Sequence, residues 1–170
     1  YGDIISPPSE RPLQGGDVLI LDVGLMVDGY YCDFDRNFSV GSPSEAVRRS
    51  YELVWQATEA GLAAAVPGAT CAELFRAMDA VLAPHADPTA AGEVGRYGHG
   101  LGMVLTEFPS ITSWDETVLE PGMVLTLEPG LATAPGRMMV HEENVAITED
   151  GARLLTRRAP REIPVLELPS

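Results

Sequence analysis

The stretch D-V-L-I-L-D-V-G-L-M-V-D-G-Y-Y-C-D-F-D-R-N-F-S-V, residues 17–40, decides the fold of this chain. It holds two β-prone runs on either side of Asp28-Gly29. An Asp-Gly pair in that setting favours a two-residue hairpin turn, because both turn positions need positive φ. With this turn, Val27 lies opposite Tyr30. The sequence therefore predicts a long antiparallel hairpin of known register.

The predicted register brings acidic residues together on one side of the hairpin. Gly24 faces Asp33 and Asp22 faces Asp35, so that Asp22 and Asp33 are diagonal neighbours. An ionised carboxylate on a buried sheet face is costly without a partner, and a bound cation is the economical explanation. Gly24 would leave room for that cation. A solvated face is the alternative that the hairpin alone leaves open.

Two helices are predicted to follow the hairpin. S-P-S-E at 42–45 reads as a capping box with Ser42 at the cap, and the helix that it begins should run to about Val66. T-C-A-E at 70–73 is a second capping box, and its shorter helix should end at Pro84. Both segments carry an apolar stripe at helical spacing, which predicts that each helix packs one face on the core.

The rest of the chain returns to strand character. Strands are expected near residues 98–107, 123–128 and 138–148, separated by Pro-Gly and Asp-Gly turns. Strands and helices are segregated along the chain, which predicts an α+β fold with helices packed on a mainly antiparallel sheet. With 170 residues, of which 45% are hydrophobic, the chain suits one domain with a real core.

Charge and cysteine content narrow the classes of partner and compartment. A formal net charge of −14 would repel the phosphates of nucleic acids and anionic membrane surfaces, so neither is expected as a partner. Only Cys32 and Cys71 occur, without a C-x-x-C pairing, which argues against a disulfide framework and favours a reducing cytoplasm. The start at Tyr1 suggests that the sequence begins partway into a larger protein.

Two further residues are candidates for a metal site. His99 lies in G-H-G-L-G, where the flanking glycines allow close backbone approach, although a structural histidine is an equal alternative. Glu128 ends the run M-V-L-T-L-E just before a Pro-Gly turn, where a strand can present a side chain at its edge. His85 and His141 are interpreted as surface or sheet residues.

The pair Glu142-Glu143 offers one more candidate ligand. If Val145 packs inward, alternation places Glu143 and His141 on its face, and Glu142 on the opposite face with Asn144. Alternation alone does not say which face is the site. Hard carboxylates with one neutral imidazole suit Mn²⁺, Co²⁺, Fe²⁺ or Zn²⁺, and four carboxylates exceed what one such ion needs. Two ions fit better.

Four motifs, taken in order, resemble the pita-bread metallohydrolases. They are D-V-G-x4-G-Y-x2-D, G-H-G-L-G, L-E-P-G and H-E-E-N-V-A-I-T-E-D-G, and the resemblance runs from about Asp3 to Leu166. This family includes methionine aminopeptidase, prolidase, aminopeptidase P and creatinase. The resemblance implies a curved, mainly antiparallel sheet with helices on its outer face. It also implies a catalytic domain over residues 1–166, incomplete at its amino terminus, a tail at 167–170, and a homodimer.

The resemblance also assigns roles by position. Asp22 would be a bidentate ligand, Asp33 and Glu142 would bridge two metals, and His99 and Glu128 would bind one of them, with Mn²⁺ or Co²⁺ favoured and Zn²⁺ or Fe²⁺ as alternatives. The family pattern thereby chooses Glu142 over its neighbour. In the peptidase members a metal-bridging hydroxide attacks the scissile carbonyl, and the residue at the Glu128 position transfers protons.

Departures from the family pattern concern the residues around the substrate. Ile5 and Thr106 stand where the peptidases carry histidines, and Val140 stands where prolidase-like members often carry arginine. The usual D-x-T-R-T-F reads D-F-D-R-N-F here, which adds Asp35. Thr106 and Asp35 are therefore candidates to lie around the substrate. Asp35 would either support a metal ligand by hydrogen bonding or be an extra ligand itself.

Three functions follow from the resemblance. The first is an Xaa-Pro aminopeptidase or dipeptidase that cleaves small peptides. The second is a creatinase-like or ectoine-hydrolase-like enzyme that opens a small non-peptide C–N or amide bond, which Ile5 and Thr106 favour. The third is a non-catalytic binding module, and the presence of all five family ligands disfavours it.

Overall fold

The computed structural model describes residues 10–87, 89, 95–134 and 137–167. Among these residues are two α-helices, one 3-10 turn and ten strands. In chain order they are β1 Val18–Val27, β2 Tyr30–Val40, α1 Glu45–Ala64, α2 Cys71–Leu82, the 3-10 turn Ala83–His85, β3 Gly98–Gly100, β4 Glu107–Ser110, β5 Val124–Leu127, β6 Gly130–Ala134, β7 Arg137–Val140, β8 Glu143–Thr148, β9 Gly151–Leu154 and β10 Val165–Leu166.

The described strands form three sheets. The first has the order β1-β2-β10, the second β4-β3-β5-β8-β9, and the third is the pair β6-β7. Every pairing is antiparallel except β10 with β2, which is parallel. The prediction of an α+β fold with mainly antiparallel strands is confirmed. The predicted strand at 138–148 is interrupted at residues 141–142, which divide it into β7 and β8 in different sheets.

The hairpin of β1 and β2 has the predicted register. Gly24 pairs with Asp33, Asp22 pairs with Asp35, and the strands are joined at residues 28–29. Asp28 has φ of 52° and Gly29 has φ of 87°, so both turn residues adopt the left-handed conformation that the Asp-Gly pair favours. The position of every side chain on this hairpin follows from that turn.

The helices begin at capping residues, one of which differs from the prediction. The cap of α1 is Ser44, whose side chain accepts a hydrogen bond from the Val47 amide, and not Ser42. Ser42 and Ser44 both suit a cap by residue type, and the helix begins at Glu45, directly after Ser44. The cap of α2 is Thr70, which forms the predicted reciprocal capping box with Glu73.

The hydrophobic core lies between the two helices and the second sheet. Its largest fully buried side chains include Tyr51 from α1, Met78 from α2, Leu125 and Leu127 from β5, and Ile147 from β8. At roughly 25 cal/mol per Å² of apolar surface, each such side chain stabilises the fold by about 1.5–3 kcal/mol. This packing gives the site a rigid backing, because β5 and β8 also carry site residues.

Several predictions fall at or beyond the limits of the described residues. Ile5, residues 168–170 of the predicted tail, and residues 88 and 90–94 after the second predicted helix lie outside them. None of the described helices is long and apolar enough to cross a membrane. The division into a domain over 1–166 and a tail stays a prediction.

Candidate metal centre

Three predicted ligands converge at the junction of the first and second sheets. One ligand atom from each of Asp33, His99 and Glu142 lies within 4.8 Å of the other two. Asp33 comes from β2, His99 from β3, and Glu142 from the residue before β8. His99 and Glu142 are buried, whereas Asp33 is partly exposed, so the cluster opens to solvent on the hairpin side.

Main-chain and side-chain hydrogen bonds hold this junction together. The Asp33 amide donates to Asn144 Oδ1 at 3.1 Å, and Asn144 Nδ2 donates back to the Asp33 carbonyl. Thr126 Oγ1 lies 2.7 Å from Glu142 Oε1, to which it donates, and 3.3 Å from the Asp33 carbonyl. Asn144 and Thr126 therefore bind the hairpin to the second sheet at the point where the ligands meet.

The His99 ring is oriented for ligation by a bond on its far side. Its Nδ1 lies 2.8 Å from the Gly100 carbonyl, which can only accept, so Nδ1 carries the proton. Nε2 is left with a free lone pair, 3.7 Å from Asp33 Oδ2 and 3.9 Å from Glu128 Oε1. Burial lowers the pKa of His99, although the Gly100 bond opposes this effect, so the neutral ring is favoured.

The glycines around His99 are required by close backbone contacts. A Cβ on Gly98 would lie 2.2 Å from the Thr126 carbonyl oxygen, and a Cβ on Gly100 would lie 2.1 Å from the Phe108 carbonyl oxygen. These backbone atoms cannot move aside without breaking the sheet. The G-H-G motif therefore allows β3 to sit tightly between its neighbours with the imidazole at the junction.

Glu128 lies beside the cluster and is engaged by an arginine. Its Oε1 accepts a hydrogen bond from Arg96 Nε at 3.0 Å and lies 3.9 Å from His99 Nε2. Burial raises the pKa of Glu128, and the Arg96 charge partly opposes this shift. Glu128 is thus a half-buried carboxyl at the edge of the cluster, with one oxygen fixed by the Arg96 guanidinium.

Asp22 lies on the open side of the site, directly across the hairpin from Asp35. The residue is exposed, although the protein around its carboxyl raises its pKa by desolvation. Its charge is close enough to raise the pKa of Asp33, Asp35 and Glu128. The predicted set of Asp22, Asp33, His99, Glu128 and Glu142 therefore occupies one region of the structure.

The adjacent glutamates 142 and 143 face opposite ways, as alternation predicts. Glu142 joins the ligand cluster, whereas the fully buried Glu143 binds Arg36 Nη2 at 3.1 Å and Arg158 Nη1 at 3.2 Å. The Ala159 amide also donates to Glu143 at 2.9 Å. Glu143 is thus neutralised by two arginines, and Glu142 is left as the glutamate available to the site.

His141 belongs to the same inner network as Glu143. Its Nε2 accepts from Arg158 Nη1 at 3.2 Å, and its Nδ1 lies 2.9 Å from Thr58 Oγ1. Burial, the Arg158 charge and the Arg36 charge lower the pKa of His141 to about 3, so it stays neutral. His141 is a buried structural histidine on the face away from the ligand cluster.

The electrostatics of the cluster fit a bound cation. Burial, followed by the Asp22 charge, raises the pKa of Asp33 to about 6. Burial, followed by the charges of Asp33 and Glu128, raises the pKa of Glu142 to about 10. Carboxyl groups that the protein brings together at such cost are typical of sites where divalent ions supply the missing positive charge. The oxygen and imidazole donors suit first-row divalent metals.

The candidate substrate-shell residues lie in different surroundings. Thr106 is exposed, in the irregular segment between β3 and β4. Asp35 is 2% exposed, and its Oδ1 accepts a hydrogen bond from the Glu142 amide at 2.9 Å. The room opposite Asp33 that was expected for a metal at Gly24 is taken by Leu105, whose Cδ1 would lie 3.3 Å from an added Cβ.

Arg96 and Thr126 are site residues that no sequence motif indicated, whereas alternation had already placed Asn144 on the face of Glu142. Thr126 lies two residues before Glu128, so strand alternation could have placed it on the side of its acidic neighbour. Arg96 precedes the G-H-G motif in an irregular segment. Nothing in its local pattern indicates that it reaches Glu128.

Residues 3–149 match the profile of metallopeptidase family M24. The chain belongs to that family. Among its relatives, the Xaa-Pro dipeptidase of Pyrococcus furiosus is 36% identical over 151 residues, which are 88% of this chain and 42% of the relative. The M24 chain therefore spans less than half the length of this curated relative.

Solved structures show the same fold. A dipeptidase from Pyrococcus horikoshii OT3 matches with a TM-score of 0.88 and 31% identity, covering 97% of this chain and 46% of that one. A methionine aminopeptidase from Rickettsia prowazekii, 24% identical, matches with a TM-score of 0.75 over 86% of this chain and 67% of that one. The predictions of a pita-bread fold and of membership in this family are confirmed.

Proposed function

We propose that this chain carries the dinuclear metal centre of a hydrolase that cleaves Xaa-Pro-type bonds in small peptides. The observation that carries the proposal is the convergence of Asp33, His99 and Glu142 within 4.8 Å, with carboxyl groups whose pKa values are raised by burial and by one another. Membership of family M24 and the similarity to an Xaa-Pro dipeptidase support the same reaction class.

The proposed metal ligands are Asp22, Asp33, His99, Glu128 and Glu142. Asp33 and Glu142 converge with His99, which suits bridging positions for the two carboxylates, and Glu128 Oε1 lies 3.9 Å from His99 Nε2. Mn²⁺ or Co²⁺ suits this mixture of hard carboxylates and one imidazole, with Zn²⁺ and Fe²⁺ as alternatives. When bound, such ions supply Lewis-acid polarisation of a carbonyl and acidify water.

Glu128 is the proposed group for proton transfer. Burial raises the pKa of Glu128, and a raised pKa makes a carboxyl better suited to take up and return a proton during a reaction. Arg96 holds one of its oxygens at 3.0 Å, so the other oxygen can turn towards a reacting group. Loss of the arginine would free the carboxylate to rotate and would remove the charge that opposes its protonation.

A second candidate reaction is hydrolysis of a small non-peptide C–N or amide bond. Thr106, which stands where the peptidases carry a substrate-contacting histidine, is exposed and can donate a hydrogen bond but cannot act as a charged acid. Val140 likewise offers no charge at the position of the prolidase-like arginine. Thr106 and Val140 therefore favour a substrate that lacks the groups that a histidine or an arginine at these positions would bind.

Turnover on a matched substrate panel separates these functions. The intact protein, loaded with Mn²⁺ or Co²⁺, is assayed on Xaa-Pro dipeptides, on Xaa-Pro tripeptides and on small amides, with Glu142→Ala as the inactive control. Hydrolysis of the Xaa-Pro peptides alone supports the proposal. Turnover of the amides alone would support the second candidate reaction instead. If the protein took up no metal at all, both candidate reactions would be wrong.

The proposed setting is a reducing cytoplasm, and the proposed assembly is a homodimer. Cys32 and Cys71 are both free, which agrees with such a compartment. Size-exclusion chromatography with light scattering on the intact protein measures the assembly directly.

A further inference from the structure

Asp35 is a buried carboxylate on the same face of the hairpin as the proposed metal ligands. It follows Asp33 by two residues on β2, so their side chains point to the same side of the sheet. It also pairs directly with Asp22 across the ladder. Side chains in such pairs have Cβ atoms about 4.5–5.5 Å apart. Asp35 is therefore within side-chain reach of the group that Asp22 binds.

One oxygen of this carboxylate has no partner. Oδ1 accepts from the Glu142 amide at 2.9 Å, and Asn37 Nδ2 lies 3.5 Å from the same atom. Oδ2 is buried and has no hydrogen-bond partner among the described residues. A carboxylate oxygen withdrawn from water without a partner is costly. The unpartnered atom belongs to a side chain that is only 2% exposed and lies on the face where cations are proposed to bind.

Nearby arginines form no ion pair with the Asp35 carboxylate among the described residues. Arg36 is the next residue, but its Nη1 lies 3.1 Å from the Glu142 carbonyl and its Nη2 lies 3.1 Å from Glu143. Along the described ranges 10–87, 89, 95–134 and 137–167, no ion pair to the Asp35 carboxylate is present. Among the described residues, the Arg36 charge lowers the pKa of Asp35 only against a larger effect of burial, so a cation bound beside Oδ2 would supply what the protein does not.

We propose that Asp35 is an additional ligand, through Oδ2, for the metal ion that Asp22 binds. This inference rests on the proposed dinuclear centre and adds a sixth protein donor to it. The donor replaces the threonine of the usual D-x-T-R-T-F pattern. A further carboxylate makes that ion's surroundings harder and more negative, which favours Mn²⁺ over softer metals.

The alternative explanation is an ordered water molecule between the side chains of Asp35 and Asn37. Asn37 also leaves its Oδ1 buried and unpartnered, and a water could donate to both oxygens. In that case Asp35 would have only a structural role. The two explanations differ in what loss of the charge does to metal binding and to the stability of the metal-free protein.

The decisive variant is Asp35→Asn, which keeps an oxygen to accept from the Glu142 amide and removes the charged donor. The intact protein is stripped with a chelator and titrated with Mn²⁺ by calorimetry, and ion pairs are detected by their exchange-coupled electron paramagnetic resonance signal. Asp115→Asn is the matched control, because Asp115 is also a buried carboxylate but is hydrogen-bonded to Ser110 and Thr117.

The wild type and Asp115→Asn should each bind two Mn²⁺ ions. In Asp35→Asn one ion should bind as before, and the second should bind about 10- to 100-fold more weakly, with loss of the coupled signal. The metal-free Asp35→Asn protein should also melt at a higher temperature, because an uncompensated charge has been removed. A structural role would instead lower that melting temperature and leave both affinities unchanged.

Each remaining outcome is also decisive. Two unchanged Mn²⁺ affinities in Asp35→Asn would overturn the inference while leaving the proposed dinuclear centre intact. Failure of the wild type to bind Mn²⁺ would overturn both. Asp35→Thr, which restores the family residue, is the second variant. If neither variant folds, Asp35 is a structural acceptor and not a ligand.

Discussion

Raising the pH should destabilise the metal-free protein through Asp33. Burial, and then the charge of Asp22, raises the pKa of this carboxyl from 3.8 to about 6 in the folded state. Because the folded value is above the unfolded value, the stability linked to Asp33 is fully present below about pH 3.8 and is lost as the pH rises to about 6. At 1.36 kcal/mol per pKa unit, the total loss is about 3 kcal/mol.

Urea unfolding, followed by circular dichroism in the presence of a chelator, measures this loss. The wild type and Asp33→Asn are compared at about pH 4.5 and about pH 7.5. This window contains about 2 kcal/mol of the effect, so the wild type should lose that much more stability than the variant. The raised pKa of Glu142 makes stability fall with pH in both proteins, so the difference between them reports on Asp33 together with its charge coupling to Glu142.

Saturating Mn²⁺ provides the control for this experiment. A bound ion favours the ionised carboxyl, so the wild type should lose the extra pH dependence when metal is added. If the wild type and Asp33→Asn show the same pH dependence without metal, the carboxyl is not strained by its surroundings. The electrostatic reasoning for the whole cluster would then be refuted.

Three further variants test the surroundings of the site. Glu143→Ala should lower the free energy of unfolding by about 3–5 kcal/mol, because two arginines lose their buried partner; a loss under 1 kcal/mol in urea unfolding would contradict this. Gly100→Ala, whose Cβ would meet the Phe108 carbonyl oxygen at 2.1 Å, should abolish Mn²⁺ binding measured by calorimetry, and unchanged affinity would show that β3 can shift. Thr70→Ala should lower the free energy of unfolding by about 1 kcal/mol, measured by thermal melting. An equal loss in Glu73→Gln would show that the two residues of the capping box act as one unit.

The hairpin and its acidic face could be predicted because their cause is local. Asp28 and Gly29 determine the turn, the turn determines the register, and the register places Asp22 and Asp33 on one face. The separation of Glu142 from Glu143 follows from strand alternation in the same way. Where one short-range rule acts alone, the sequence is sufficient to predict the local structure.

Other features depend on contacts between distant segments. Ser42 and Ser44 are equivalent as capping candidates by residue type, and only the structure identifies Ser44 as the cap. The expected strand at 98–107 pairs only at Gly98–Gly100 before the chain leaves the sheet and returns at Glu107. The bonds of Arg36 and Arg158 to Glu143 span more than ten residues each, and no local pattern signals them.

The opposite surroundings of Glu142 and Glu143 have a consequence for how the centre would acquire its ions. The main chain of Glu142 is fixed by Asp35 on its amide and by Arg36 on its carbonyl, and Glu143 keeps its arginine partners whether or not an ion is bound. Release of a metal would therefore leave the strand in place with its donor still directed at the site. Metal exchange in such a centre is governed by dissociation rates and by the supply of ions, and each new ion enters a coordination sphere that is already assembled.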